Sequence, residues 1–372
     1  MRKKDEIFES EKQKDPEISR NPSWYNNIHG INYIASYCRN SYEMWKYYDS
    51  KIIERELGYA KKVGFDSIRI YLNYRAWFED SIGFIQNFRH FFEISSQLGL
   101  YVNPTIFDGC GVENADITTQ TTTVGARYDS ASPIFRTLLN RGHEREYVEE
   151  YLWNRIIPDL NDERVLFWEY WAPTPGPSKM GNEYWPVYEH YCSDLIQSAD
   201  PKAILAWDIM NEPPYPGNPL IENEKPELIQ PFLNHFIDFV HKKSNGAPVL
   251  IGFADLNFSQ MNIECDILCF HSYKLPPILR MDLKKAKKRA LKLKNSLLCN
   301  ECLSYFLFHE RPDEQTQLEM IKEQHAAFKK ENIGWMAWHL IEGDGFLPYC
   351  GFIRRDGSLK PAAEYLKNQI RK

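Results

Sequence analysis

The 372-residue chain has no run of about 18 consecutive apolar residues, the least that crosses a bilayer as a helix, so a membrane partner is excluded. An export signal is missing too. The first twenty residues, MRKKDEIFESEKQKDPEISR, are charged almost throughout and hold no apolar core of about 7 to 15 residues, so the chain is expected to stay in the cytoplasm. Cysteine is too sparse for a disulfide scaffold: there are 8, and Cys265, Cys269 and Cys299 sit in apolar strand-like runs, which reads as buried free thiols. One C-x-x-C, Cys299 to Cys302, brackets Glu301. No second C-x-x-C and no H-x-x-x-H accompanies it to complete a zinc set, so no metal and no other cofactor is expected. Nor is there an excess of positive charge. The net charge is -6, and the basic stretch Lys284 to Lys294 aligns Leu283, Ala286, Ala290 and Leu293 on one helical stripe. It reads as a solvated outer helix, without nucleic acid as a partner. No internal repeat is visible beyond an alternation of strand-like and helix-like segments.

Aromatic residues, by contrast, are abundant at 14%, with 10 Trp and 22 Tyr. Sugar rings carry apolar C–H faces that stack on aromatic rings, so the surplus leans toward a carbohydrate ligand, although aromatic residues also fill large cores. The alternation itself is regular. Strand-like runs at His29 to Ala35, Phe65 to Tyr74, Leu100 to Phe107, Ala203 to Met210, Pro248 to Phe253, Asp266 to Tyr273, Ser296 to Glu301 and Ile333 to Leu340 make eight. Between most of them lie amphipathic stretches, at Lys51 to Val63, Phe84 to Leu98, Tyr184 to Ser198, Lys225 to His241, Leu283 to Leu293 and Glu314 to Glu331, and Leu359 to Ile370 closes the chain; only a short turn, Ser259 to Ile263, separates the fifth and sixth strands. An open sheet of that many parallel strands would leave two edges to protect, so the expected fold is a single-domain α/β protein, a closed (β/α)8 TIM barrel. Residues 1–22 form a charged leader and 23–372 the barrel, with an insertion over about 109–182 after the third strand that includes helical stretches around Glu144 to Arg155. Such an excursion belongs at the C-terminal face, where barrel enzymes build their sites.

Two segments carry the chemistry. W-D-I-M-N-E-P-P, Trp207 to Pro214, ends an apolar strand in Asn211-Glu212, and L-L-C-N-E-C ends another in Glu301. An unpaired buried carboxylate costs several kcal/mol or raises its pKa, so two of them at strand ends read better as a working pair than as a source of stability. The ends of strands four and seven can face each other across a barrel. A carboxyl separation of about 5 to 5.5 Å there would suit retaining glycosidase chemistry.

These residues resemble clan A glycoside hydrolases, especially the family 5 (cellulase-like) barrels, over His29 to about Leu366. The resemblance implies that Glu212 is the acid/base and Glu301 the nucleophile of a double displacement on a β-linked oligosaccharide or small glycoside. It also implies substrate-site roles for Arg69 on strand two, for His271 and Tyr273 after strand six, and for Trp338 on strand eight, and the closing G-F-I-R-R-D-G-S-L-K-P-A fits the same pattern. Asn211 would bind the sugar 2-hydroxyl, Tyr273 would orient Glu301, and Trp338 would form a stacking floor. Asn32 and His29 near the end of strand one, and Asp108, Trp77, Glu342 and Asp344 at the rim, are further candidates, whereas Asp208 reads as structural. The chain departs from the pattern at Asp108, where many relatives have His, and at Asn300-Glu301-Cys302, where Glu-Phe/Trp-Gly is common. A barrel that binds sugar without hydrolysing it is the alternative. An unrelated barrel enzyme, a metal-dependent hydrolase or an aldolase, is a third, the former disfavoured by the lack of an H-x-H on strand one.

Overall fold

A computed structural model describes residues 22–109, 174–176, 179–213, 226–254, 256, 263–304, 313–344 and 350–370. The leader, most of the 109–182 insertion with its helical stretches, and most of the Ser259 to Ile263 turn lie outside those residues. The eight expected strands are present: β1 (His29–Tyr33), β2 (Ser67–Tyr71), β3 (Tyr101–Asp108), β4 (Trp207–Asn211), β5 (Val249–Gly252), β6 (Ile267–His271), β7 (Ser296–Cys302) and β8 (Gly334–Ala337). All neighbouring strands pair in parallel, in the order β5-β4-β3-β2-β1-β8-β7-β6. The ends of that series meet where Phe253 bridges Phe270 and the His271 N–H donates to the Phe253 carbonyl at 2.7 Å. The molecule is a (β/α)8 barrel.

Among the described residues, the helices between the strands are α1 (Ser41–Lys46), α2 (Ser50–Val63), α3 (Tyr74–Glu79), α4 (Ser81–Gln97), α5 (Trp185–Ser198), α6 (Pro226–Lys243), α7 (Ile278–Leu293) and α8 (Glu314–Glu331), and α9 (Pro361–Ile370) follows β8. Capping sets their limits: Asp49 accepts from the Lys51 and Ile52 N–H groups to start α2, and Gly64, left-handed at φ 109°, stops it. The short helices α1 and α3 fall in segments with no clear periodicity in sequence, and Asn40 and Asn73 cap them. In α7 the buried stripe is Leu279, Leu283, Ala286 and Ala290. Leu293, expected on that stripe, is 49% exposed because the helix ends there and the next residue, Lys294, is left-handed.

Two apolar layers hold the barrel. The larger lies between strands and helices, and the smaller, with Leu205, Leu250, Ile267, Cys269, Leu298 and Met336, includes Tyr25 and Ile28. A turn of 3-10 helix, Pro22–Asn27, carries Tyr25 and leads directly into Ile28, and it packs against β7 and β8. The seven described cysteines are free thiols, and Cys265 is only partly buried. Among the described residues, no helix is long and apolar enough to cross a membrane.

Candidate active site

The C-terminal strand ends depart from regular pairing where the polar residues stand. Register shifts occur between Asp208 and Asn211 of β4, between Phe270 and His271 of β6, and between Cys299 and Cys302 of β7. Such bulges turn side chains away from strict alternation, and here they deliver Asn211, His271 and Glu301 to one place. Directly after β4, Glu212 adopts a left-handed backbone at φ 41°, held by its N–H bond of 2.7 Å to the Gly252 carbonyl. A non-glycine residue in that region is strained by about 1–3 kcal/mol, a cost that recurs at functional positions.

Glu212, His271 and Glu301 converge, with one ligand atom from each lying within 4.8 Å of the other two. His271 Nδ1 stands 2.6 Å from Glu212 Oε1 and 3.4 Å from Glu301 Oε2. Glu212 keeps some exposure, 19% of its side chain, whereas Glu301 keeps 5%. Both oxygens of Glu301 are hydrogen-bonded. Oε1 accepts from Arg69 Nη1 at 2.5 Å and from the Tyr71 hydroxyl at 2.6 Å, and Oε2 accepts from the Tyr273 hydroxyl. Burial pushes the Glu301 carboxyl up, but the His271 and Arg69 charges and the two phenols outweigh it and hold its pKa below the ordinary range. Burial, with Glu301 and Glu212 nearby, raises the Tyr273 phenol well above its ordinary value, so it remains a donor.

Arg69 is completely buried, and all three of its nitrogens are bonded. Nε donates to Asp208 Oδ2 at 3.0 Å, Nη2 to Asn211 Oδ1 at 2.9 Å, and Nη1 to Glu301 and to Asn32 Oδ1 at 3.1 Å. Burial opposes its charge, yet Tyr71, Asp208 and Glu301 raise its pKa above the already high arginine value. Asp208 has no exposed surface, and burial lifts its carboxyl above the ordinary value against the pull of Arg69.

Of the other residues singled out in sequence, Asn211 also donates from Nδ2 to Asp108 Oδ1 at 3.1 Å, which makes Asp108 a support for Asn211. Asn32, expected to touch sugar, is instead wholly buried. Its Nδ2 donates to the carbonyls of Asn300 and Ala337, tying β1 to β7 and β8, and its Oδ1 receives Arg69 and Tyr71. Trp338 is buried with its ring edge-on to Tyr71 at 6.0 Å. Trp77 lies on α3, packed against Tyr191 with its indole N–H on Asp194, and Glu342 and Asp344 pair with Lys360 and Arg355. His29 stands at the start of β1, bonded through its N–H to Asp66, at the opposite end of the barrel.

Sequence reading missed Tyr71 and Gly252. Tyr71 had a signal, since it stands two residues after Arg69 on the same strand and shares its face. Gly252 had none: a Cβ built there would lie 2.8 Å from His271 Nε2, 2.9 Å from Arg69 Nη2 and 3.2 Å from Asp208 Oδ2. Two carboxylates and an imidazole could ligate a cation. Glu301, however, already has the guanidinium charge and three donors on its oxygens, which disfavours a further cation.

No sequence pattern of a known protein family matches the chain, and no curated protein resembles it in sequence. Solved structures do resemble it. An exo-β-1,4-mannosidase from Opitutaceae bacterium strain TAV5 matches 92% of this chain with a TM-score of 0.60 at 13% identity, and the match spans 59% of that enzyme. A GH5_18 protein from Streptomyces cattleya in complex with GlcNAc matches 92% of this chain and 80% of its own, with a TM-score of 0.57 at 12% identity. The endo-1,4-β-D-mannanase of Thermotoga petrophila RKU-1 matches 91% and 99%, with a TM-score of 0.53 at 13% identity. The barrel therefore has the fold of the family 5 type of clan A glycoside hydrolases.

Proposed function

We propose that the protein is a retaining β-glycoside hydrolase in which Glu301 is the nucleophile and Glu212 the general acid and base. The observation that carries this reading is the meeting of Glu212 and Glu301 at the ends of β4 and β7, with an oxygen of each within 4.8 Å. That closeness matches the short carboxyl separation of retaining enzymes, about 5 to 5.5 Å, and leaves no room for the water that an inverting enzyme holds between them. The different settings of the two groups support the division of labour. Glu301, ion-paired to Arg69 and hydrogen-bonded by Tyr71 and Tyr273, is kept as a carboxylate able to attack the anomeric carbon. Glu212, partly open and paired with His271, gives its proton to the departing glycosidic oxygen and then takes one from the water that releases the sugar. Asn211 keeps a second amide N–H for the sugar 2-hydroxyl. The substrate is a β-linked oligosaccharide or small glycoside, and β-mannosides come first in a screen because several proteins of the same fold carry mannosidase or mannanase names.

The test is covalent trapping. A 2-deoxy-2-fluoro β-glycosyl fluoride should label the protein on Glu301, read by peptide mass spectrometry, and Glu301→Ala should lose at least about a thousandfold in turnover of an aryl β-glycoside. Retention of more than a few per cent of turnover by Glu301→Ala would overturn the nucleophile assignment, and an initial α-anomer from a β-substrate would overturn the retaining mechanism.

A further inference from the structure

We propose that Asp208 is a positioning residue that shares the Arg69 guanidinium with Glu301, so that these three side chains together carry one net negative charge beneath the reacting carbon. This rests on the reading of Glu301 as nucleophile. Asp208 accepts four hydrogen bonds, on Oδ2 from Arg69 Nε at 3.0 Å, Thr105 Oγ1 at 3.1 Å and Asn300 Nδ2 at 3.1 Å, and on Oδ1 from the Gly252 N–H at 3.1 Å, and Arg69 Nη2 makes an ion-pair contact with Oδ2 at 2.8 Å. Apart from the hydroxyl, none of these partners can accept a proton. A protonated Asp208 could place its O–H only on the Thr105 hydroxyl, against the donors from Arg69, Asn300 and Gly252, so the ionised form is the one this set favours.

Arg69 is therefore one buried cation between two buried carboxylates, hydrogen-bonded to Asp208 through Nε with Nη2 in ion-pair contact, and bonded to Glu301 through Nη1. Glu301 alone would already neutralise it. A second carboxylate adds nothing to charge balance, but it changes what Glu301 experiences: part of the guanidinium field is taken by Asp208, and Asp208 itself repels charge on Glu301. Both effects keep the nucleophile from being stabilised too far in its resting state. The extra negative charge also favours the positive charge that develops on the sugar in an oxocarbenium-like transition state.

The charged and titratable groups around Glu301 are Arg69 and Tyr71 from β2, with Asp108 from β3 acting on Tyr71, Asp208 and Glu212 from β4 and its end, His271 and Tyr273 from β6 and the residues after it, and Cys299 from β7 itself. Asp208→Asn alters the charge of one of them. Removing a negative neighbour favours the ionised form of Glu301 and lowers its pKa, so the acid limb of kcat/KM moves to lower pH. The expected shift is about one pH unit, with a loss in kcat/KM of about ten- to a hundredfold.

The experiment compares pH profiles of wild type, Asp208→Asn and Thr105→Val, the last removing one hydrogen bond to Asp208 without touching its charge. A downward shift in Asp208→Asn alone supports the proposal; reduced activity with an unmoved acid limb makes Asp208 purely structural and overturns it. Carboxyl 13C NMR of the wild type supplies a reading that needs neither a variant that folds nor glycosidase activity. Asp208 and Glu301 must both be ionised at neutral pH, and a protonated Asp208 overturns the proposal. If wild type is neither active nor trapped on Glu301, the glycosidase reading fails, and the NMR result still decides whether the two carboxylates share the guanidinium.

Discussion

The guanidinium of Arg69 bonds to side chains on three strands besides its own, Asn32 on β1, Asp208 and Asn211 on β4, and Glu301 on β7. A residue so placed sets the spacing of the two carboxylates through the barrel itself, and whatever displaces it displaces them. Gly252 is the sensitive point. Its backbone bonds Asp208 through the N–H and Glu212 through the carbonyl, while its missing side chain leaves space for His271 Nε2 and Arg69 Nη2. Gly252→Ala should fold, because only side-chain ends must give way, yet it should lose about a hundredfold in kcat/KM from a misplacement of the order of 1 Å. Activity assays beside thermal melting check this; unchanged kcat/KM would show that the site tolerates the methyl group. At this scale sequence reading served unevenly. Glu212 and Glu301 stand out as polar residues closing apolar runs and Arg69, His271 and Tyr273 come from the family resemblance, while the roles of Asp208 and Asn32 rest on partners on distant strands that no local pattern reveals.

Among the elements, the strands do what their composition dictates until their last residues. Regular alternation brings Arg69 and Tyr71 to one side of β2, whereas bulges in β4, β6 and β7 re-aim Asn211, His271 and Glu301. A two-residue period cannot express a bulge, which arises from pairing with the neighbouring strand. At the other end of the barrel, the Pro22–Asn27 turn lies so close to β8 that a Cβ at Gly334 would meet the Tyr25 carbonyl oxygen at 1.9 Å. Backbone, not a mobile side chain, would have to move. Gly334→Ala should therefore cost about 2–3 kcal/mol and lower the melting temperature by several degrees, while leaving kcat/KM nearly unchanged well below that temperature. Calorimetry and assays at low temperature separate the two effects, and an unshifted melting temperature would mean that the turn does not brace β8.

For the whole molecule, pH stability provides a test far from the candidate site. Burial, with His29 and Lys329 adding to it, lowers the pKa of His325 on α8 from 6.5 to about 4, and its Nδ1 stands 3.1 Å from the Tyr365 hydroxyl of α9. Below about pH 6.5 the unfolded chain takes up a proton that the folded chain refuses, so this contribution is complete above pH 6.5 and is lost as pH falls toward 4. The loss amounts to at most about 3 kcal/mol. Urea unfolding from pH 7 to 4.5 should show it, and His325→Gln should flatten that slope; an equal slope in the variant would assign the acid sensitivity to other groups.

The sequence by itself determined the barrel and the identity of its two opposed glutamates, because eight apolar runs separated by amphipathic helices have few ways to bury their faces, and because carboxylates closing such runs are costly without a task. Only the tertiary structure decided how those glutamates are held. The donors on Glu301 come from β2 and from the residues after β6, and the partners of Asp208 come from four strands besides its own. Bonds of that kind depend on closure of the sheet and on the bulges at its C-terminal rim, and no local pattern along the chain encodes either.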